Sequence, residues 1–115
     1  MPSTRTRAAA TRRITLRGAN HAAKTFRELA EKWRAETRFV SSVEKLSMNY
    51  SYQRIIGMGA PAVPFLLREL KDKPDNWFWA LEAITGANPV PAEDQGDIQK
   101  MADAWLSWGH RHHYL

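Results

Sequence analysis

One stretch, residues 75–86, constrains the fold of this chain more than any other. It reads DNWFWALEAITG and combines a helix start, a dense apolar middle and a helix stop. Asp75 can cap the helix because its carboxylate accepts a free backbone N–H group of the first turn. Gly86 suits the left-handed conformation that follows many helices. The apolar arc between them spans about 200°, which predicts a central helix covered on at least two sides.

The two tryptophans of this stretch cannot both face the interior. At about 100° per residue, Trp77 and Trp79 point about 200° apart. Trp77 shares its face with three other apolar residues, namely Ala80, Leu81 and Ile84. The narrow polar side is expected to hold Glu82, Thr85 and, between them, Phe78. We therefore expect Trp77 in the core and Trp79 facing outward.

The remaining apolar residues also follow helical spacing, and no segment of strand length alternates apolar and polar residues. The sequence therefore predicts an all-α fold of four to five helices. These helices cover residues 20–47, 49–59, 61–71, 76–85, and a last segment from Asp94 or Asp97 to a stop at Gly109. The helix at 76–85 is expected to pack against those at 61–71 and 95–108, in a monomeric or weakly associating domain.

Two of these helices have distinct apolar stripes. The first stripe consists of Phe26, Leu29, Trp33, Val40 and Val43, and the last consists of Ile98, Met101, Trp105 and Trp108. The serines at 41–42 can bend or split the first helix. Both stripes are assigned to the core, because apolar residues at this spacing form the buried face of a helix.

Charge divides the chain into a basic arm and a nearly balanced domain. Residues 1–27 hold seven of the 17 basic residues and no acid, which leaves ten basic against twelve acidic residues after them. We expect a flexible arm over 1–19, a helical domain over 20–109 and a polar tail over 110–115. The arm allows three interpretations: a solvated tail, a nucleic-acid-binding arm or an organellar transit segment. Its arginines are Arg5, Arg7, Arg12, Arg13 and Arg17.

Composition and motifs favour a protein without catalytic chemistry. The absence of cysteine excludes disulfides and thiolate metal sites, which favours a cytoplasmic location. No apolar run is long enough to span a bilayer. The histidines at 110–113 lack the second ligand cluster of a structural metal site, so no functional metal is expected. No catalytic or cofactor-binding motif is present, and we expect neither an enzyme nor a cofactor.

Within residues 59–86, Gly59 precedes Pro61-Ala62-Val63-Pro64 and a run of leucines, and the next helix contains Ala-Leu and closes at Gly86. This pattern resembles a single HEAT repeat. It implies two antiparallel helices, in a family that mostly binds proteins or nucleic acids. The three aromatic residues at 77–79 depart from the family pattern, and no second copy is visible. The segment 77–109, which begins with Trp-Phe-Trp-Ala-Leu and ends with Ala-Trp-Leu-Ser-Trp-Gly, is also similar to small bacterial proteins, a likeness that implies no function.

We therefore expect a non-catalytic interaction module, an adaptor or antitoxin-like protein that docks a protein partner through an aromatic helical face. Phe78 and Trp79 are the expected anchors, with Tyr50 and Tyr52 at the rim, because exposed aromatic residues often dominate binding energy. The alternative is a nucleic-acid-binding protein that uses the arm arginines. A Trp79 and Phe78 exposed away from the arm would favour the first hypothesis. A basic groove continuous with the arm would favour the second.

Overall fold

The computed structural model describes the backbone of residues 2–115 and the side chains of residues 20–115. The described chain contains six α-helices, two short 3-10 turns and no strand, so the predicted all-α class is confirmed. The helices are α1 (Pro2–Glu36), α2 (Val43–Met48), α3 (Tyr50–Met58), α4 (Val63–Asp72), α5 (Phe78–Thr85) and α6 (Ile98–Arg111). The 3-10 turns are Ala60–Ala62 and Ala92–Asp94.

The helix count exceeds the expected four to five because the predicted helix at 20–47 is divided in two. The backbone turns over residues 37–42, between α1 and α2. Thr37 closes the end of α1 by donating from its hydroxyl to the carbonyl of Trp33 at 2.6 Å. Ser42 starts α2, where its hydroxyl accepts from the backbone N–H of Lys45 at 3.4 Å. Serine competes well for backbone groups, which favours a new helix start at this point.

Helix α1 also extends further toward the N-terminus than expected. Its backbone is helical over residues 2–19, where the sequence predicted a flexible arm. Alanine and arginine are strong helix formers, and they make up much of this segment. The arm side chains lie outside the described residues, and the mobility of the segment in solution stays a prediction.

The core is an aromatic cluster that joins α1 and α3 to the residue that precedes α5. Trp77 lies 4.4 Å from Trp33 and 5.6 Å from Tyr52, measured between ring centroids. Phe26 contacts the same indole at 5.8 Å. Phe26, Leu29 and Trp33 are buried, as the spacing predicted for this part of the helix, and Ala30 is buried with them.

Helix α5 has a different second neighbour from the one expected. It packs against α3 and α4, whereas α6 packs against α4. The predicted packing of α5 on α4 is confirmed, whereas α3 rather than the segment 95–108 provides the larger second contact of α5. The start of α5 also differs, because Trp77 rather than Asp75 occupies the cap position. The carboxylate of Asp75 instead accepts from the N–H of Asn76 at 2.7 Å, just before the helix.

Helix α6 begins at the predicted cap but runs past its predicted stop. The side chain of Asp97 accepts from the N–H of Lys100 at 3.1 Å. Gly109, the expected stop, lies inside the helix, where a Cβ atom would come within 2.7 Å of Leu67 Cδ1. This glycine therefore permits close packing of α6 on α4. Beyond the helix, the ring of Tyr114 stacks on Trp108 at 5.5 Å, so the polar tail packs against α6.

Candidate functional site

An apolar cleft of about 370 Å³ opens between the first turns of α2, α5 and α6. Its apolar side chains are Val43, Phe78, Trp79, Ile98 and Met101, with Asn76, Glu82 and Gly96 completing the lining. Three of these side chains are substantially open to solvent: Val43 at 60%, Trp79 at 56% and Ile98 at 42%. Single exposed apolar residues are ordinary, but a shared cleft of several is typical of a binding surface.

Trp79 is exposed because the neighbouring side chains on α5 fill the core. Ala80 and Leu81 are fully buried, as is Trp77 just before the helix. Since α5 turns about 100° per residue, Trp79 must leave the buried face between them. The prediction that Trp79 rather than Trp77 faces outward is confirmed. An exposed tryptophan has a large apolar area to bury against a partner and few rotamers to lose.

Phe78 forms the floor of the cleft and is not an exposed side chain. It was expected on the polar side of the helix, yet only 9% of it is accessible. Helical spacing does place Phe78 one turn before the exposed Glu82, but Phe78 is the first residue of α5. Its burial depends on the other helices that line the cleft, which helical spacing cannot show. Phe78 and Trp79 nevertheless line the same cleft, as the hypothesis of two neighbouring anchors requires.

Capping interactions fix the other two walls of the cleft. Ser42 and Asp97 cap α2 and α6, and each is followed at once by a cleft residue, Val43 or Ile98. Met101 lies one turn further along α6 and is half-buried. The apolar spacing assigned all three apolar residues to core stripes. Helical spacing alone could not distinguish these cleft residues from the core residues of the same stripes. The break at 37–42 and the position of α5 decide which end of each stripe is covered by another helix.

The two tyrosines expected at the rim differ in exposure, and neither lines the cleft. Tyr50 is 72% exposed but does not line the cleft. Tyr52 is fully buried, so its assignment to a partner-binding rim is wrong. Its hydroxyl donates to the carbonyl of Asn76 at 2.9 Å and accepts from the N–H of Ala80 at 3.0 Å. Tyr52 is therefore a structural residue that holds the start of α5 against α3.

The burial of Tyr52 also changes its acid–base behaviour. Desolvation raises the pKa of the phenol well above its usual value, and the nearby charge of Asp75 raises it further. The hydrogen bond from the Ala80 backbone opposes this shift but is a smaller effect than desolvation. The phenol therefore stays neutral in the folded protein and acts as a hydrogen-bond bridge, without access to a substrate.

Three acidic residues lie in the cleft lining or next to it in sequence. Glu82 belongs to the lining and is exposed. Glu44 directly follows Val43, and Asp97 directly precedes Ile98. Lys100, on the same helix as Ile98, approaches Asp94 at 3.9 Å and lines a separate groove. An apolar segment that carries positive charge would be favoured here over one that carries negative charge.

The structure also contains a more polar groove with basic residues. Arg34, Arg38 and Lys73 line it beside the carboxylate of Asp75. Arg34 is engaged in an ion pair with Glu69, which reduces the charge available to an anion. The predicted nucleic-acid residues Arg5, Arg7, Arg12, Arg13 and Arg17 have side chains outside the described residues. Continuity between this groove and the arm therefore stays a prediction.

Two further observations concern the described residues as a whole. Among residues 20–115, no group of three His, Asp or Glu side chains lies close enough together to hold a metal ion. Within the same part of the chain, none of the helices combines the length and apolar character needed to cross a bilayer. His112 stacks on Trp108 at 4.6 Å between ring centroids, so this histidine packs against α6.

Comparisons with known proteins do not assign this chain to a family. No family model matches it, and neither the curated proteins nor the solved structures include a significant match. The resemblance of residues 59–86 to a HEAT repeat therefore stays a prediction, and functional inference depends on the cleft.

Proposed function

We propose that this protein is a non-catalytic interaction module that docks a protein partner through the apolar cleft at Trp79. The observation that carries the proposal is an exposed tryptophan in a cleft whose apolar walls come from three separate helix starts. A partner side chain inserted there would bury Trp79, Val43 and Ile98 together. Burial of apolar area contributes about 25 cal/mol per Å², so a few such side chains can dominate binding.

The floor of the cleft is buried and its walls are exposed, which is the arrangement expected of a binding hot spot. Phe78 is fixed by its burial, whereas Trp79 and Ile98 remain accessible above it. A rigid floor reduces the conformational entropy lost on binding, because fewer side chains must be ordered. The HEAT-like character of residues 59–86, which we retain as part of this proposal, is consistent with binding by surface complementarity.

The test is capture of partners from lysate by tagged full-length protein, with and without nuclease. Trp79→Ala should abolish or strongly reduce the nuclease-resistant partners, because it removes the anchor. The matched control is Tyr50→Ala, which removes an exposed aromatic residue that does not line the cleft, and it should leave capture unchanged. Equal capture by wild type and Trp79→Ala would refute this proposal.

The second candidate function is nucleic-acid binding through the N-terminal arm. It is favoured by seven basic residues without an acid in residues 1–27, on a backbone that is helical from Pro2. Clustered arginines neutralise phosphates without a folded pocket, and their binding weakens steeply with salt. If every captured partner disappears on nuclease treatment, this second function replaces protein docking.

A further inference from the structure

The polar groove at the end of α1 brings together basic side chains that are distant in sequence. Its volume is about 570 Å³, which lies within the range of ligand-binding sites. Arg34 and Arg38 come from the last turn of α1 and the segment after it, and Lys73 directly follows α4. Within residues 20–115, Arg34 forms an ion pair with Glu69, whereas Arg38 and Lys73 form none. Two cations of the groove are therefore free to bind an anion.

Other polar side chains of the groove suit a phosphate and restrict its position. Ser41 and Asn76 belong to the lining, and hydroxyl and amide groups donate hydrogen bonds to phosphate oxygens in many complexes. Asp75 contributes the one carboxylate of the lining. Because like charges repel, a bound phosphate is expected near Arg38 and Lys73 rather than beside Asp75.

An exposed aromatic ring lies beside one of these cations. Phe39 directly follows Arg38 and is 93% exposed, the largest exposed fraction among the large apolar residues of the described side chains. The guanidinium carbon of Arg38 lies 5.6 Å from the centroid of the ring. Proteins that bind single-stranded nucleic acid combine a basic groove for the backbone with aromatic side chains on which unpaired bases stack.

We propose that this groove binds single-stranded nucleic acid, with a backbone phosphate at Arg38 and Lys73 and a base stacked on Phe39. The inference goes beyond the proposed protein docking, because the groove shares only Asn76 with the apolar cleft. It also does not depend on the N-terminal arm, since every lining residue falls within 33–76. A single strand fits better than a duplex, whose bases are already stacked on each other.

The two kinds of contact respond differently to salt, which makes them separable. Lys73→Ala removes one phosphate contact, so the slope of log affinity against log salt should become shallower by about 0.7 on a single strand. Phe39→Ala removes base stacking, which does not release counterions. It should weaken binding about tenfold and leave the salt slope unchanged.

Fluorescence anisotropy of a labelled oligothymidylate, titrated with full-length protein at several salt concentrations, measures both quantities. Lys71→Ala is the matched control for charge, because it removes an exposed lysine of α4 that does not line the groove. Tyr50→Ala is the matched control for the ring, because Tyr50 is also exposed and lies outside the groove. Both controls should bind as the wild type does. On a duplex of the same length, Phe39→Ala should bind as tightly as the wild type.

A variant that gains affinity separates the site from any effect of misfolding. Asp75→Asn removes the negative charge of the groove but keeps a side-chain oxygen that can accept from the N–H of Asn76. It should bind the oligothymidylate about threefold more tightly, because a repulsive charge near the phosphate is gone. Circular dichroism checks that every variant is folded.

Three results would overturn the inference. They are equal affinity and salt slope for Lys73→Ala and Lys71→Ala, wild-type affinity of Phe39→Ala for the single strand, and unchanged or weaker binding by folded Asp75→Asn. Polyglutamate is the competing anion. If it binds more tightly than the oligothymidylate, and Lys73→Ala weakens it equally, the groove takes acidic protein segments and the assignment to nucleic acid is wrong.

The outcome is distinguishable from a failure of the proposed function. The altered groove residues do not line the apolar cleft, so Phe39→Ala and Lys73→Ala should leave the nuclease-resistant partners of the full-length protein unchanged. Conversely, Trp79→Ala should leave oligothymidylate binding unchanged. Each surface can therefore fail its own test while the other passes.

Discussion

Substitution of Trp77 tests the account of the core, and its effect can be worked out from the structure. The indole is fully buried and lies within 6 Å of three other aromatic rings, with centroid separations of 4.4 Å, 5.6 Å and 5.8 Å. Truncation of such a residue to alanine costs about 3–5 kcal/mol through reduced burial and the cavity that remains. Small domains unfold with about 5–15 kcal/mol, so Trp77→Ala should be close to the limit of folding.

A second substitution at the same position separates ring packing from polarity. Within the described residues, the buried Nε1 of Trp77 has no hydrogen-bond partner. An unpaired buried donor costs about 1–3 kcal/mol. Trp77→Phe removes this donor while keeping an aromatic ring, so the two effects partly cancel. We expect Trp77→Phe to lower the free energy of unfolding by about 1 kcal/mol, far less than alanine does.

Urea unfolding followed by far-ultraviolet circular dichroism measures these differences without relying on the tryptophan signal. Trp79→Ala is the matched control, because it removes the same side chain from an exposed position, and it should change stability by about 1 kcal/mol or less. A melting temperature lowered by about 15 °C or more is the expected thermal effect of Trp77→Ala. Equal stabilities for the alanine variants at 77 and 79 would refute the assignment of Trp77 to the core.

Three further predictions concern Tyr52, Gly86 and the arm. Because folding raises the Tyr52 pKa, the unfolded chain ionises first, and stability should fall as pH rises above about 10. Tyr52→Phe should reduce this loss of stability at high pH. At neutral pH it should cost about 1–3 kcal/mol, because two backbone groups lose their hydrogen-bond partner. A pH profile of thermal unfolding identical to that of the wild type would contradict this role of Tyr52. Gly86→Ala should lower the free energy of unfolding by about 1 kcal/mol, because Gly86 has a φ of 71° and alanine is strained in this left-handed conformation. If urea unfolding shows the same stability for Gly86→Ala as for the wild type, this prediction is wrong. Replacing Arg12 and Arg13 with alanine should lower the salt dependence of duplex DNA binding by about 0.9 for each phosphate that is no longer neutralised, and an unchanged slope would remove these residues from the binding surface.

The helices and the direction of the two tryptophans could be predicted from the sequence because both follow from local periodicity. Apolar spacing located four of the six helices, α3 to α6, within a few residues, and the apolar neighbours of Trp77 indicated which of the two tryptophans is buried. These are properties of one helix and its cap. They need no knowledge of the packing partner.

The cleft itself could not be predicted, because it depends on how separate helices meet. Val43 and Ile98 continue regular apolar stripes, yet each lies at a helix start that its neighbours leave open. Tyr52 looked equivalent to Tyr50, but the carbonyl of Asn76 and the N–H of Ala80 provide the buried hydroxyl with partners from a distant segment. Tertiary contacts of this kind determine which side chains are exposed, and a local sequence pattern does not indicate them.

Site-specific photocross-linking tests the docking role of the cleft most directly. A photoreactive phenylalanine analogue placed at Val43 lies in the cleft wall, and the same analogue at Tyr50 lies on an exposed surface outside it. The account predicts a nuclease-resistant protein adduct from position 43, diminished by Trp79→Ala, and no such adduct from position 50. Adducts from position 50 alone, or adducts from position 43 that persist unchanged in Trp79→Ala, would contradict it.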